Sequence, residues 1–167
     1  TGKPLNQEKL LEALQLLQLD PLLANVSAEL ATGTTPGTNI LEVKVTEAKT
    51  RTAQIKLDNN RPPSIGSFQR QVQLNEANLL GFGDNLNIAY SNTDGSDSWN
   101  ASYTLPINPR NGTLQFDFSD SSTKVIEEPF DTLDIKGDSQ QYSISYRQPL
   151  IQTPTTEFAL GITASRR

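Results

Sequence analysis

Residues 99–119 read Trp-Asn-Ala-Ser-Tyr-Thr-Leu-Pro-Ile-Asn-Pro-Arg-Asn-Gly-Thr-Leu-Gln-Phe-Asp-Phe-Ser. Trp99, Ala101, Tyr103 and Leu105 alternate with Asn100, Ser102 and Thr104. Beyond a turn marked by Pro109 and Gly112, Leu114, Phe116 and Phe118 alternate with Gln115, Asp117 and Ser119. A period of two places the apolar side chains on one face of a strand and the polar ones on the other, and Pro/Gly between two such runs predicts a hairpin. The same alternation continues on both sides. Ala53, Ile55 and Leu57 oppose Gln54, Lys56 and Asp58; Phe68, Val72 and Leu74 oppose Gln69, Gln71 and Gln73; Leu86, Ile88 and Tyr90 oppose Asn87, Ala89 and Ser91. Downstream, Tyr142, Ile144 and Tyr146 oppose Ser143, Ser145 and Arg147, and Phe158, Leu160 and Ile162 oppose Ala159, Gly161 and Thr163. About seven such runs predict a long antiparallel meander.

Before Ala48 the period is different. Pro4 suits a first helical turn, and Leu10, Leu11, Leu14 and Leu17, with Leu5 at the margin, recur every three or four residues against Glu8, Lys9, Glu12 and Gln15. Asp20-Pro21 ends this helix, Leu22 to Asn25 is read as a short second helical turn, and Val26 to Leu30 as a strand. The Gly-Thr-Thr-Pro-Gly turn at 33–37 leads to a partner strand, Ile40 to Val45. The order helix, turn, strand, hairpin loop, strand is the tail of a small α+β unit.

Composition removes several kinds of function. The chain has 167 residues, no cysteine and no histidine, which excludes disulfides, thiolate chemistry and the commonest general base and zinc ligand. A net charge of −5 argues against a nucleic-acid partner. No cofactor or metal is expected. Asp94-Gly-Ser-Asp97 offers hard oxygen ligands but lacks the spacing of a calcium loop, and reads as a polar turn. No apolar run is long enough for a transmembrane helix, but a barrel strand needs only about ten alternating residues. The chain opens in a helix-start signal and stops on Arg166-Arg167 directly after a strand, so it is read as a fragment.

Alternation alone fits either a soluble sandwich or a membrane barrel. Aromatic residues near strand ends (Tyr90, Trp99, Tyr103, Tyr142, Tyr146) favour lipid interfaces. If the first strand rises away from the α+β unit, the far connections are 59–67, 92–97 and 120–140 and the near ones 75–84, 106–112 and 148–156. The longest lies on the far side, as in barrels with short periplasmic turns and long outer loops. Arg70 interrupts the apolar face and is expected to snorkel at a rim.

Gly2-Lys-Pro-Leu5 with the Leu-rich helix, Pro36-Gly-Thr-Asn-Ile-Leu-Glu-Val-Lys-Val45, Thr52-Ala-Gln-Ile-Lys-Leu-Asp-Asn59, Asn78-Leu-Leu-Gly-Phe-Gly-Asp-Asn-Leu86 and Ser102-Tyr-Thr-Leu-Pro-Ile107 follow one another along the chain. Together they resemble the two-partner secretion transporters, the hemolysin activator and filamentous-hemagglutinin secretion family of the BamA-like superfamily. The resemblance implies an α+β POTRA remnant over residues 1–48. Over 49–167 it implies a mainly-β antiparallel meander, a partial transmembrane β-barrel of about seven strands. It further implies residence in the outer membrane, with the N-terminal part in the periplasm. A secreted exoprotein is the expected partner, captured by pairing with a sheet edge, here Val26, Ser27, Ala28, Glu29 and Leu30. Gln54, Lys56, Gln69, Gln71, Gln73, Asn87, Gln115, Asp117 and Arg147 are expected to line the pore. Outer-membrane lipid would meet the other face, and open strand edges would allow self-association. The alternatives are a BamA-like or chloroplast-import barrel and, from another class, a soluble secreted β-rich adhesin.

Overall fold

A computed structural model describes residues 6–33 and 38–167. Pro4, Leu5 and residues 34–37 of the expected turn lie outside the described residues. The chain divides into two units, one up to Lys49 with Ile151–Phe158, the other Thr50–Leu150 with Ala159–Arg167.

In the first unit, α1 spans Gln7–Gln18, β1 Leu23–Thr32 and β2 Asn39–Glu47. Asn6 is the N-cap of α1 and accepts from the Lys9 N–H at 3.1 Å. Of the expected stripe, Leu10 and Leu14 are half-buried with Leu16, whereas Leu11 and Leu17 are exposed. The expected helical turn at Leu22–Asn25 is a strand instead. Asp20 accepts from the Leu22 N–H at 2.9 Å, and β1 then pairs from Leu23 (opposite Glu47) to Thr32 (opposite Asn39). A ladder partner outweighs a single helical turn, which is costly to nucleate. Val26 is buried, at 6% exposure.

The second unit is built on one sheet, in the order β3 (Arg51–Asp58), β4 (Gln69–Ala77), β5 (Asn85–Thr93), β6 (Ser96–Pro106), β7 (Thr113–Lys124), β8 (Lys136–Gln152) and β9 (Glu157–Arg166). Each strand lies beside its sequence neighbours, as in a meander, and β3 through β8 pair antiparallel. Register decides which side chains share a face, because a one-residue slip exchanges the faces. One cross-strand row runs Ala53, Leu74, Ile88, Ala101, Phe118, Tyr142, and another runs Leu86, Tyr103, Phe116, Ile144. Apolar positions stay with apolar positions across the sheet.

Most of the expected connections are shorter than the sequence indicated: 75–84 narrows to 78–84 and 148–156 to 153–156. Residues 92–97 are paired strand except for the turn at Asp94-Gly95, and 120–140 narrows to 125–135. The missed residues, Asp120 to Lys124 and Lys136 to Gln140, are polar on both sides. Hydrophobic alternation stops there while the backbone ladder continues (Asp120 opposite Gln140, Lys124 opposite Lys136).

Candidate functional site

The sheet has two chemically distinct faces. Gln54, Lys56, Gln69, Gln71, Gln73, Asn87, Gln115, Asp117 and Arg147 all lie on one of them, opposite Ile55, Ile88 and Phe116. Their neighbours in the rows are polar residues outside the expected pore-lining set: Asn75, Asn100, Ser102, Ser119 and Ser143. Asp117 accepts from Gln115 Nε2 at 2.6 Å and from the Ser143 hydroxyl at 3.0 Å, the Ser91 and Ser98 hydroxyls are 2.7 Å apart, and Lys56 pairs with Asp58 at 3.0 Å. Amides and hydroxyls dominate this surface. Small polar residues such as Ser102 carry little signal singly; their row position makes them visible.

Exposure along β4 and β8 is opposite to that of a soluble sandwich. In β4 the polar Gln69, Gln71 and Gln73 are half-buried while Arg70, Val72 and Leu74 are exposed; in β8 Gln141, Ser143 and Ser145 are half-buried while Tyr142, Ile144 and Tyr146 are exposed. Phe116 and Ile144, paired across β7 and β8, are 44% and 42% exposed. An exposed apolar face of this extent, free of water-soluble packing, requires an apolar medium or a partner. The polar residues occupy the more sheltered face.

Polar clusters bound the apolar face. At the end where β3 finishes, Arg70 donates to Asn92 at 3.0 Å, pairs with Asp94 at 3.5 Å and lies over the Phe68 ring at 5.3 Å. Asp97 accepts there from the Tyr90 hydroxyl at 2.6 Å and from Asn92 at 2.8 Å, while the Tyr90 and Trp99 rings meet tilted by 38° with centroids 4.6 Å apart. The carboxylates considered for calcium are thus held by side-chain donors. Arg70, which looked out of place in an apolar strand face, belongs to a rim.

At the opposite end Arg51 pairs with Glu76, and Asp84, with no accessible surface, receives the Leu80 N–H (3.0 and 3.2 Å to its two oxygens) and the Tyr103 hydroxyl at 2.9 Å. Burial raises the Asp84 pKa, but these donors, with the Phe82 and Asp84 N–H groups, outweigh burial and hold it below the usual carboxylate value. A carboxylate depressed in the folded state stabilises above its unfolded pKa and loses that contribution as pH falls through the lower folded value. Asp84 was not singled out as a site; its cue is an acid following a Gly-Phe-Gly turn whose N–H groups need an acceptor. In the 125–135 connection Asp134 is held below its usual pKa by Lys136 (2.7 Å) and then Lys124 (3.3 Å), tying the loop to both strands.

In the first unit, Val26, Ser27, Ala28, Glu29 and Leu30 pair with Val45, Lys44, Val43, Glu42 and Leu41. The described sheet there has two strands, and Gln18 Nε2 donates to the Val26 carbonyl at 3.4 Å.

A meander whose aromatic-bearing apolar face is outermost, between two polar rims, is the wall of an outer-membrane β-barrel. Comparisons with known proteins agree. Residues 37–167 match the family model "Haemolysin secretion/activation protein ShlB/FhaC/HecB". A curated relative, "Outer membrane transporter CdiB-2" of Burkholderia pseudomallei, is 33% identical over 98 residues, covering 54% of this chain and 17% of that protein. Among solved structures, CdiB from Escherichia coli superposes with a TM-score of 0.65 at 19% identity, covering 98% of this chain and 32% of that one. BamA from Haemophilus ducreyi, solved lacking POTRA domains 1–3, gives 0.61 at 16% identity over 92% of this chain and 28% of its own. The chain belongs to the haemolysin secretion/activation family ShlB/FhaC/HecB, and its place is the outer membrane. It spans about a sixth of the curated relative it matches.

Proposed function

We propose that this chain is part of a two-partner secretion transporter that conducts an unfolded exoprotein across the outer membrane, acting by binding and conduction and not by catalysis. The observation that supports this best is the inverted exposure of β4 and β8, polar side chains sheltered and apolar ones outermost, in a member of this family. In the complete barrel the sheltered face is the lumen wall. Gln54, Gln71, Gln73, Asn87, Gln115 and Asp117 hydrate the passage and exchange hydrogen bonds with the moving chain, while Lys56, Gln69 and Arg147 lie on the same wall. Neutral amides and hydroxyls suit a conduit for varied sequence, because none of them binds a passing segment through charge.

Residues 1–48 form the end of a POTRA domain in the periplasm, and residues 49–167 the first barrel strands. The outer edge of β1, Val26 to Leu30, receives the extended client by strand addition. β3 and β9, each with one strand neighbour in this sheet, meet further strands of the barrel; separated from those strands they would pair with a second copy.

Crosslinking tests this reading. Single cysteines at Ser27 and Glu29, at Gln71 and Gln115, and at Ile88 are placed in the full-length protein, and a stalled exoprotein encoded beside it carries a photoactivatable thiol probe. Adducts are expected from 27, 29, 71 and 115 and not from 88. Adducts formed equally from residue 88, or absent from the sheltered face, would refute conduction. If barrel precursors crosslink in place of the exoprotein, the insertion branch suggested by the BamA-like fold is favoured.

A further inference from the structure

The connection between β4 and β5, Asn78-Leu-Leu-Gly-Phe-Gly-Asp84, is a rigid frame presenting apolar side chains to the exterior. Three of its residues have positive φ: Asn78 at 66°, Gly81 at 85° and Gly83 at 76°. The Asn78 side chain accepts from the Gly83 N–H at 2.8 Å, and the Asn78 N–H donates to the Asp84 carbonyl, closing the turn across its base. The fully buried Asp84 carboxylate binds the Leu80 N–H and the Tyr103 hydroxyl. Around this frame Leu79, Leu80 and Phe82 are 46%, 60% and 70% exposed. Folding without a partner gives no reason to fix three large apolar groups in water on so ordered a turn. The next turn at the same end of the sheet has Asn-Pro-Arg-Asn at 108–111 at its tip.

Geometry says which medium they meet. Asp84 precedes Leu86 by two residues and so faces with it onto the apolar side, where Tyr103, opposite Leu86, supplies its hydroxyl. The Leu80 N–H reaches that same carboxylate, so the turn folds over the apolar side of the sheet and not over the polar wall. It thereby covers a negative charge that acyl chains would not tolerate. The row Arg51, Glu76, Leu86, Tyr103 ends in a guanidinium 84% exposed, a cation at the same end of the sheet as the apolar turn.

We propose that Leu79, Leu80 and Phe82 form a membrane anchor, inserted into the phospholipid leaflet at the end where β3 begins, with Arg51 at the phosphate level. This rests on the membrane reading above, in which that end is periplasmic. The anchor extends the lipid-facing band past the strands and fixes the height and tilt of the first hairpins.

The test is collision accessibility of a nitroxide label in the full-length protein, reconstituted in phosphatidylethanolamine/phosphatidylglycerol vesicles. Labels on Phe82→Cys and, independently, Leu80→Cys are compared with Ile88→Cys on the apolar face, Ala89→Cys on the polar face and Arg110→Cys on the neighbouring turn. Oxygen, which concentrates in lipid, is expected to collide with labels at 80 and 82 several-fold more than a water-soluble nickel complex does, as at 88. Labels at 89 and 110 should favour the nickel complex. Nickel-dominated collisions at 80 and 82 with a lipid-embedded residue 88 would overturn the anchor alone. Labels shielded from both reagents would replace lipid by a protein contact and overturn it too; a water-exposed residue 88 would overturn the anchor and the membrane reading together.

Discussion

Arginine at Ile88 is expected to destabilise the folded, membrane-inserted protein by about 2–4 kcal/mol, while arginine at the adjacent Ala89 changes stability by no more than about 0.5 kcal/mol. Ile88 stands in a row with Leu74 and Ala101, between the Arg70–Asn92 rim and the Glu76 and Asp84 end. A guanidinium there has no polar group to reach without crossing much of the apolar band. Ala89, opposite Gln73 and Asn100, points to the polar wall, where a charge stays hydrated. Reversible unfolding of the full-length protein in bilayers by guanidinium measures both. Equal costs, or a greater cost at Ala89, would mean that the faces are assigned the wrong way round.

The second large effect is expected at Gly95, where Gly95→Ala should cost about 1–3 kcal/mol through overpacking. A Cβ on Gly95 would stand 2.5 Å from the Lys124 carbonyl oxygen and 3.1 Å from that of Ile65. Neither can move freely. The Gly95 N–H donates to the Ile65 carbonyl at 2.9 Å, the Lys124 N–H to the Gly95 carbonyl at 2.7 Å and the Ile126 N–H to the Ser64 carbonyl at 2.8 Å. This clasp joins the 59–68 connection, the β5–β6 turn and the end of β7. Hydrogen exchange should show added opening in residues 63–66 and 124–126 of the variant, with β4 unchanged. Unaltered stability and exchange would mean that the three segments are not joined through Gly95.

Much of this was legible from alternation. Strand existence and phase followed from runs such as Leu114-Gln-Phe-Asp-Phe-Ser, because side-chain direction has a period of two and each face meets one medium. Strand ends were not legible where both faces meet water: Ser121 to Lys124 extend β7 with no apolar residue to mark them. Leu22–Asn25 looked helical because its partner, Glu47 and Thr46, is distant in sequence. The sheltered polar face was legible at Gln71, Gln73 and Gln115, whose size gives each a clear polar signal. Asp84 became visible only through a folded turn that places Leu80 and Tyr103 around it.

One face of this meander is expected to touch lipid and the other to touch water inside the barrel. Residues Leu114 to Ser119 of β7 test it most directly, because they alternate strictly in the middle of the sheet. An environment-sensitive fluorophore is attached in turn at each of these positions in the full-length protein, and its quenching by lipid-borne nitroxides is compared with quenching by aqueous iodide. Lipid quenching at 114, 116 and 118 with iodide quenching at 115, 117 and 119 is the expected outcome. The opposite phase, or no alternation at all, would contradict it.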